Sequence, residues 1–165
     1  MNSSEIPAAT QPFRIWVDAD AVPGAVKDVV LAAALKRRIE TVFVANKPIS
    51  LPQSPLLSLV IVKKTPDAAD YYINEQAAEG DFTITQDIPL AHLLVKRGLT
   101  VINPRGEKYS EENIGERLSI RNLMEQLRDQ GEITGGPARF GEKEKRAFAA
   151  TFDRELTRLL KRSLD

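Results

Sequence analysis

The sequence contains no cysteine and a single histidine, His92. Without thiolates, the chain has no disulfides, iron–sulfur clusters, cysteine nucleophiles or thiolate zinc sites. One histidine also excludes zinc sites built on several histidines and acid–base catalysis by a histidine pair. Any metal bound by this chain is therefore expected to have oxygen ligands, which favour magnesium, manganese or calcium.

Excess charge and long apolar segments are also missing. The chain has 23 basic and 23 acidic residues, so no global basic field attracts nucleic acid. No segment approaches the roughly 20 apolar residues that cross a bilayer, and the first residues lack the basic and apolar regions of a signal peptide. We expect a cytoplasmic protein without membrane association, in which any nucleic-acid binding depends on a local patch.

The remaining composition is that of an ordinary globular protein. Hydrophobic residues make up 42% and charged residues 28% of the 165-residue chain, a length that fits one domain. Residues 1–12 are small, polar and proline-bearing, and are predicted to form a disordered leader. A single α/β domain is predicted over residues 13–165.

Short apolar runs alternate with helical patterns through the first hundred residues. Strands are predicted over residues 13–17, 41–45, 57–62, 82–85 and 100–102. Helices are predicted after the first, third and fourth strands. This alternation predicts a Rossmann-like parallel sheet of about five strands, covered by helices on both faces and joined by right-handed crossovers.

Two helical features complete the predicted fold. Thr65 is predicted as the N-cap of the helix after the third strand, with Pro66 in its first turn. From about residue 109 to 165 the chain is predicted to be a helical extension without a strand. Phe148, Phe152 and Leu156 lie on one stripe of its last helix, which is predicted to pack on the sheet domain.

Aspartates follow the predicted strands at the edge where doubly wound sheets bind ligands. Crowded carboxylates repel one another unless a cation or basic side chains compensate them. A magnesium or manganese ion is therefore predicted at this edge, where it can activate water and hold a phosphate oxygen. The predicted ligands are Asp18, Asp20, Asp67, Asp70 and Asp87.

Some of these residues have simpler explanations. Asp67 and Asp87 stand at helix starts, where an aspartate often serves as a cap. Asp20 has a turn role available. Asp18, by contrast, ends a buried strand and gains no capping benefit, so a functional role is favoured. His92 lies among leucines and is predicted to be a packed or surface side chain rather than a ligand.

Basic residues are also predicted at this edge. Lys47 follows the second strand and Arg105 the fifth, and both are predicted to neutralise substrate phosphate. Asp81 precedes the fourth strand and is assigned to the opposite edge. Further candidates for a basic track, although helical surface charge usually serves solvation, are Arg117, Arg121, Arg139, Lys143 and Arg146.

Several segments together resemble the YaiI/YqxD family of bacterial proteins. They are residues 15–23, 45–47, 67–70, 83–91 and 102–106, followed by Gly135-Gly136-Pro137 and the next helix. The family is similar to the PIN-like nuclease fold, whose members gather acidic residues around magnesium or manganese and hydrolyse phosphodiester bonds, usually in RNA.

The resemblance implies a strand order of 3-2-1-4-5. It also implies that Asp18, Asp70 and Asp87 are the catalytic, metal-binding carboxylates, with Asp20 or Asp67 as further ligands.

Three functions are compatible with this pattern. The leading hypothesis is a magnesium- or manganese-dependent nuclease acting on RNA or another phosphodiester. The alternative is a phosphatase resembling the haloacid-dehalogenase superfamily, with Asp18 as nucleophile and Asp20 as general acid–base. The sequence lacks a convincing downstream lysine and acidic pair for that chemistry. The third is a binding module without catalysis, which scattered basic residues would favour.

Overall fold

The computed structural model describes residues 11–132 and 139–162. The predicted leader, apart from residues 11 and 12, and the predicted turn Gly135-Gly136-Pro137 lie outside these residues. The strands are β1 (Ile15–Asp18), β2 (Thr41–Ala45), β3 (Leu57–Ile61), β4 (Phe82–Ile84), β5 (Thr100–Ile102) and β6 (Lys108–Tyr109). The helices are α1 (Gly24–Arg37), α2 (Ala68–Gln76), α3 (Ile88–Lys96), α4 (Ile114–Asp129) and α5 (Glu142–Arg162), with a 3₁₀ turn at Ala19–Ala21.

The strands form one sheet in the order β3-β2-β1-β4-β5-β6. The first five pair in parallel, which confirms the predicted α/β class and the order 3-2-1-4-5. β1 is central, and all four of its residues are buried. Strand order reverses between β1 and β4, so the carboxyl ends of these neighbours meet at the point where such sheets bind ligands.

Successive residues of each strand point to opposite faces of the sheet, and each face has its own apolar cluster. Ile15 and Val17 of β1 pack in the cluster that contains Val26 of α1 and Phe152 of α5. Trp16 packs on the other face, in the cluster formed mainly with α2 and α3. The predicted packing of the last helix on the sheet is thereby confirmed.

Two predictions about local structure are wrong. A sixth strand, β6, pairs antiparallel with β5, so residue 109 is not the start of an all-helical region. A two-residue strand has no periodicity to detect, because its pairing partner alone defines it. Thr65 is not the N-cap of α2, because the chain makes a turn in which the Ala68 amide donates to the Thr65 carbonyl at 3.3 Å. Asp67 takes the N-cap position but makes no side-chain capping bond.

Among the described residues, no helix combines the length and apolar character needed to cross a membrane.

Candidate functional site

A cavity of about 530 Å³ opens at the carboxyl edge of the sheet. Carboxylates that follow β1 and β4, together with one from α2, line it. We call Asp18, Asp20, Asp70 and Asp87 the acidic cluster. Its lining also includes three basic side chains, Lys63, Lys64 and Arg121, which we call the cationic wall. The cavity therefore brings together four of the five aspartates predicted from sequence.

Asp18 is the most enclosed member of the cluster, with 8% of its surface exposed. Its Oδ2 accepts a hydrogen bond from the Thr85 hydroxyl at 2.9 Å. Burial raises the pKa of Asp18, and the charges of Asp87 and Asp20 raise it further, against a lowering effect of the Thr85 hydrogen bond. A carboxylate at this position is costly unless a positive charge approaches it.

Asp87 is held in two ways at the turn between β4 and α3. Its amide donates to the Thr85 hydroxyl at 3.0 Å. Its Oδ1 accepts from the Leu90 amide at 2.8 Å, which caps α3. The predicted capping role is thus confirmed, and it leaves the other carboxylate oxygen, Oδ2, for contacts with the cavity.

Asp70 reaches the cluster from the first turn of α2. Burial is the largest cause that raises its pKa to about 8, followed by a hydrogen bond with Asp87 and by the charges of Asp87, Asp18 and Asp67. A hydrogen bond between two carboxyl groups requires a proton on one of them. At neutral pH the Asp70–Asp87 pair therefore holds one proton when no cation is bound.

Loop contacts position Asp20 and the rim of the cavity. The Asn46 amide, just after β2, donates to Oδ2 of Asp20 at 2.8 Å. The Gln86 side-chain amide donates to the Ala21 carbonyl at 2.9 Å and ties the turn after β4 to the turn after β1. These bonds join the carboxyl ends of β1, β2 and β4, which are neighbours in the sheet. They therefore hold the segments that carry the acidic cluster in fixed relative positions.

Three of the residues predicted for the site do not line this cavity. Asp67 is exposed and acts on the cluster through its charge. Lys47 lines a neighbouring cavity of about 240 Å³, of which Asp20 is the shared wall. Nη1 of Arg105 lies 3.9 Å from Glu144, at the start of α5. The predicted roles of Asp67 as ligand and of Lys47 and Arg105 as phosphate contacts stay predictions.

Two lysines of the cavity were not identified from the sequence. Lys63 and Lys64 follow β3, an edge strand, and sequence position alone does not show that their loop turns over the ends of β1 and β4. The signal in the sequence is weak: a pair of lysines just before Thr65-Pro66 at a strand end. Thr85, which positions Asp18 and Asp87, had a clearer signal in the spacing Thr85-x-Asp87.

The candidate basic track from the sequence is divided between two faces of the sheet. Arg117 and Arg121 belong to α4, which packs on α3, whereas Lys143 and Arg146 belong to α5, which packs on α1. Arg121 is the one member of the candidate track that lines the cavity. Arg117 is paired with Glu107. A continuous track over these residues is therefore absent from the described part of the chain.

The acidic cluster suits a hard divalent cation in its chemistry, although its side chains are not arranged as a finished site. Across residues 11–132 and 139–162, no three acidic or histidine side chains form a ready-made ion site. Oxygen ligands are nevertheless what magnesium and manganese prefer. A cation beside Asp18 and Asp70 would offset the burial and the like-charge repulsion that raise the pKa values of both carboxyls.

Comparison with known proteins gives consistent relatives. A UPF0178 protein of Syntrophobacter fumaroxidans is 57% identical over 149 residues, 90% of this chain and 97% of the relative. UPF0178 proteins of Pseudomonas fluorescens and Myxococcus xanthus are each 51% identical, over 92% and 90% of this chain and 100% and 97% of their own lengths. No solved structure matches the chain significantly. The profile described as "Uncharacterized BCR, YaiI/YqxD family" matches residues 16–158, and the chain therefore belongs to the YaiI/YqxD family.

Proposed function

We propose that this protein is a magnesium- or manganese-dependent phosphodiesterase whose substrate is RNA. The observation that carries the proposal is the composition of one cavity. Asp18, Asp70 and Asp87 come from three different elements and line the same cavity as three cations. Carboxylates for a metal and cations for a phosphate are the two components that hydrolysis of a phosphodiester requires.

Asp18, Asp70 and Asp87 would hold the metal, which supplies Lewis-acid activation of water and of a phosphate oxygen when bound. Asp20 keeps one carboxylate oxygen on the Asn46 amide, so its other oxygen is free to orient the attacking water. The water oxygen forms a bond to phosphorus as the bond to the leaving oxygen breaks, and the proton that the water loses passes through solvent to the leaving oxygen. Thr85 fixes the direction of the Asp18 carboxylate.

The cationic wall supplies the substrate contacts in this proposal. Lys63 and Lys64 are exposed and lie on the loop after β3, whereas Arg121 extends from α4 and is held by Glu125 at 3.2 Å. Basic and acidic side chains in one cavity favour a polyanion held by the cationic wall, with one phosphate presented to the acidic cluster. The balanced net charge of the whole chain limits non-specific attraction.

The test is cleavage of an end-labelled RNA oligonucleotide by purified protein with manganese, compared with protein in chelator. We expect metal-dependent cleavage that Asp18→Asn reduces by about 100-fold or more, because a group that stabilises charge at the reacting centre is removed. The matched control is Asp28→Asn, an exposed aspartate of α1, which should retain full activity.

Two outcomes would contradict the nuclease proposal. One is equal cleavage by the wild-type protein and the Asp18→Asn variant, which assigns the activity to a contaminant. The other is phosphate transfer to Asp18 itself, detected by trapping a metal fluoride analogue or by mass spectrometry. That result would indicate the haloacid-dehalogenase-like phosphatase chemistry instead.

A further inference from the structure

A second cavity adjoins the acidic cluster, and we call it the side cavity. Its volume is about 240 Å³, and Asp20 lines both this cavity and the larger one. Ala19, Val22 and Ile49 of the side cavity belong to the apolar cluster of α1 and α5, whereas Val62 of the larger cavity belongs to the cluster of α2 and α3. Asp20 therefore separates the acidic cluster from a cavity on the other face of the sheet.

The side cavity combines half-buried apolar side chains with two lysines. Ala19, Val22 and Ile49 are half-buried, and Lys27 and Lys47 complete this part of the lining. Within residues 11–132 and 139–162, neither lysine forms a salt bridge with a carboxylate. Such a lining suits a ligand that has an apolar ring next to a negative charge.

The side cavity has a fixed wall between the loop after β2 and the first helix. Nζ of Lys27, in the first turns of α1, donates to the Ser50 carbonyl at 2.9 Å. The Asn46 amide, at the start of the same loop, donates to Oδ2 of Asp20 at 2.8 Å. The cavity is therefore formed before a ligand enters, which lowers the entropic cost of binding.

Gly24, the first residue of α1, lines the side cavity without a structural need for glycine. Its backbone is not in the left-handed region, and a Cβ built there would meet no atom within 4 Å. Glycine is also a poor helix former, so the fold alone would accept a larger residue. Because a side chain at Gly24 would narrow the cavity without a clash, the glycine keeps the cavity open.

The size of the side cavity limits what it can hold. Pockets that enclose drug-sized ligands measure about 300–1,000 Å³, and this one is smaller. It therefore has room for one ring system rather than for a whole nucleotide. RNA carries such a ring beside every phosphate, and unpaired bases are the groups by which proteins recognise single-stranded RNA.

We propose that the side cavity holds one unpaired base of the RNA, from a nucleotide that adjoins the scissile phosphate. This inference rests on the proposed function. The RNA would cross the carboxyl edge of the sheet at Asp20, with its phosphate at the acidic cluster and its base on the α1 face. Lys27 and Lys47 offset the charge of the neighbouring phosphate. A base within a duplex is stacked and paired, so single strands should be cleaved in preference to duplexes.

The first test measures binding without turnover. The full chain in chelator is titrated with each common ribonucleoside monophosphate and with ribose phosphate, and amide NMR signals are followed. The best nucleotide should bind about tenfold more tightly than ribose phosphate, because its base buries apolar surface, and should shift the amides of Ala19, Val22 and Gly24. Equal dissociation constants for all these ligands, or shifts confined to other amides, would overturn the proposal.

A matched pair of glycine variants tests the cavity itself. Gly24→Leu should weaken nucleotide binding about tenfold or more, to the level of ribose phosphate, without lowering the melting temperature. Gly115, the second residue of α4, also has open space at its Cβ but does not line the side cavity. Gly115→Leu should therefore bind nucleotides like the wild type. Equal binding by the two variants would contradict the assignment of the cavity.

The second test uses end-labelled single-stranded RNA with one abasic ribose, cleaved by the wild-type protein with manganese. Cleavage at one of the two bonds that flank the abasic position should fall about tenfold, with the other bonds as internal reference. Unchanged cleavage at both flanking bonds would overturn the inference and leave the nuclease proposal intact. Absence of any metal-dependent cleavage would instead contradict the proposed function, and the nucleotide titration would then decide whether the side cavity binds a base.

Discussion

At the scale of single residues, the four aspartates of the acidic cluster differ in how they are held. Asp18 and Asp87 are fixed by Thr85 and by the start of α3, and Asp20 is fixed by the Asn46 amide. Asp70 is the member whose charge is least tolerated, since it shares a proton with Asp87. The burial and mutual repulsion of these carboxyls therefore lower the stability of the fold. Such a cost is common where ionisable groups are gathered in a cleft.

That cost should be visible as pH dependence. The pKa of Asp70 is raised from 3.8 to about 8, so the folded state binds a proton that the unfolded state releases. Its contribution to stability is full below pH 3.8 and is lost as the pH rises through about 8. We expect Asp70→Asn to lose less thermal stability than the wild type between about pH 5.5 and pH 9 in chelator, because asparagine does not titrate and most of the loss through about pH 8 falls in this interval.

Addition of manganese serves as the control for that comparison. A bound cation stabilises only a folded state that contains its ligands. The comparison is made at pH 9, about one pH unit above the pKa of Asp70. There manganese should raise the melting temperature of the wild type and leave that of Asp70→Asn unchanged. Parallel pH profiles of the two proteins in chelator would show that Asp70 does not carry the proton.

The cationic residues make a separate prediction, which depends on the proposed function. Replacing Lys63 and Lys64 by alanine should weaken RNA binding about tenfold or more. It should also reduce the slope of the logarithm of the binding constant against the logarithm of the salt concentration by about 1.4, because two phosphate contacts are lost. Lys47→Ala, in the neighbouring cavity, is the comparison variant that tests whether this lysine also contacts phosphate, and we expect it to change binding less. Fluorescence anisotropy at several salt concentrations measures both. An equal effect of the two variants would assign phosphate binding to the whole edge rather than to this wall.

At the scale of elements, α5 is tied to the edge of the sheet by buried polar contacts. Glu155 is 4% exposed and pairs with Lys108 of β6 at 2.9 Å and with Arg158 at 3.0 Å. Gly106 lies in the turn between β5 and β6, with φ of +87°, and a Cβ there would meet the Ala147 carbonyl oxygen at 2.5 Å. The segment Asn103-Pro104-Arg105-Gly106 thus allows α5 to pack closely against the turn between β5 and β6.

Glu155 should make stability depend on acidity in the opposite sense to Asp70. Burial alone would raise its pKa, but the hydrogen bonds and charges of Lys108 and Arg158 lower it below the usual 4.5. The stabilisation is present above pH 4.5 and is lost as the pH falls through the lowered pKa. Glu155→Gln should cost about 1–2 kcal/mol at neutral pH, since both partners are partly exposed, and less in acid.

Urea unfolding at neutral and acidic pH measures this difference. Arg154 contacts the same carboxylate but is 65% exposed, so Arg154→Gln is the matched control and should cost close to nothing. If Glu155→Gln lowered the free energy of unfolding equally at neutral and acidic pH, the shape of the Glu155 side chain rather than its charge would be responsible for the stabilisation.

At the scale of the whole molecule, one face of the sheet depends on a helix that is distant in sequence. Phe152 of α5 packs edge-on against Phe82 of β4 at 5.4 Å and stacks on Phe148 at 5.3 Å. Phe148 and Phe152 are the two aromatic side chains of α5, and both are buried in the apolar cluster that also contains residues of α1. Without α5, the apolar side of β1, β4 and β5 would be exposed to water.

Phe152→Ala should therefore destabilise the protein by about 3–5 kcal/mol, the usual cost of a cavity left by a buried phenylalanine. Denaturant unfolding gives the free energy. Leu123→Ala changes a leucine of α4 that is 54% exposed; it is the matched control and should change the stability by less than about 0.5 kcal/mol. Similar losses for the two variants would show that α5 does not stabilise the sheet as its burial indicates.

The sequence by itself determined the α/β class, the first five strands and the placement of most of the acidic cluster. These follow from local physics, because strand and helix periodicities are local and the carboxyl ends of parallel strands must share an edge. The strand order 3-2-1-4-5, which sets Asp18 and Asp87 on neighbouring strands, was implied by the family resemblance and is confirmed by the sheet.

Only the tertiary structure decided the cationic wall, the sixth strand and the exposure of α4. Lys63, Lys64 and Arg121 reach one cavity from a loop after an edge strand and from a helix far along the chain. β6 exists through its pairing with β5, and Ile114 is the one buried residue of α4 although this helix carries several other large apolar side chains. Each feature depends on which surfaces meet in the folded protein, and the periodicity of a sequence does not specify those contacts.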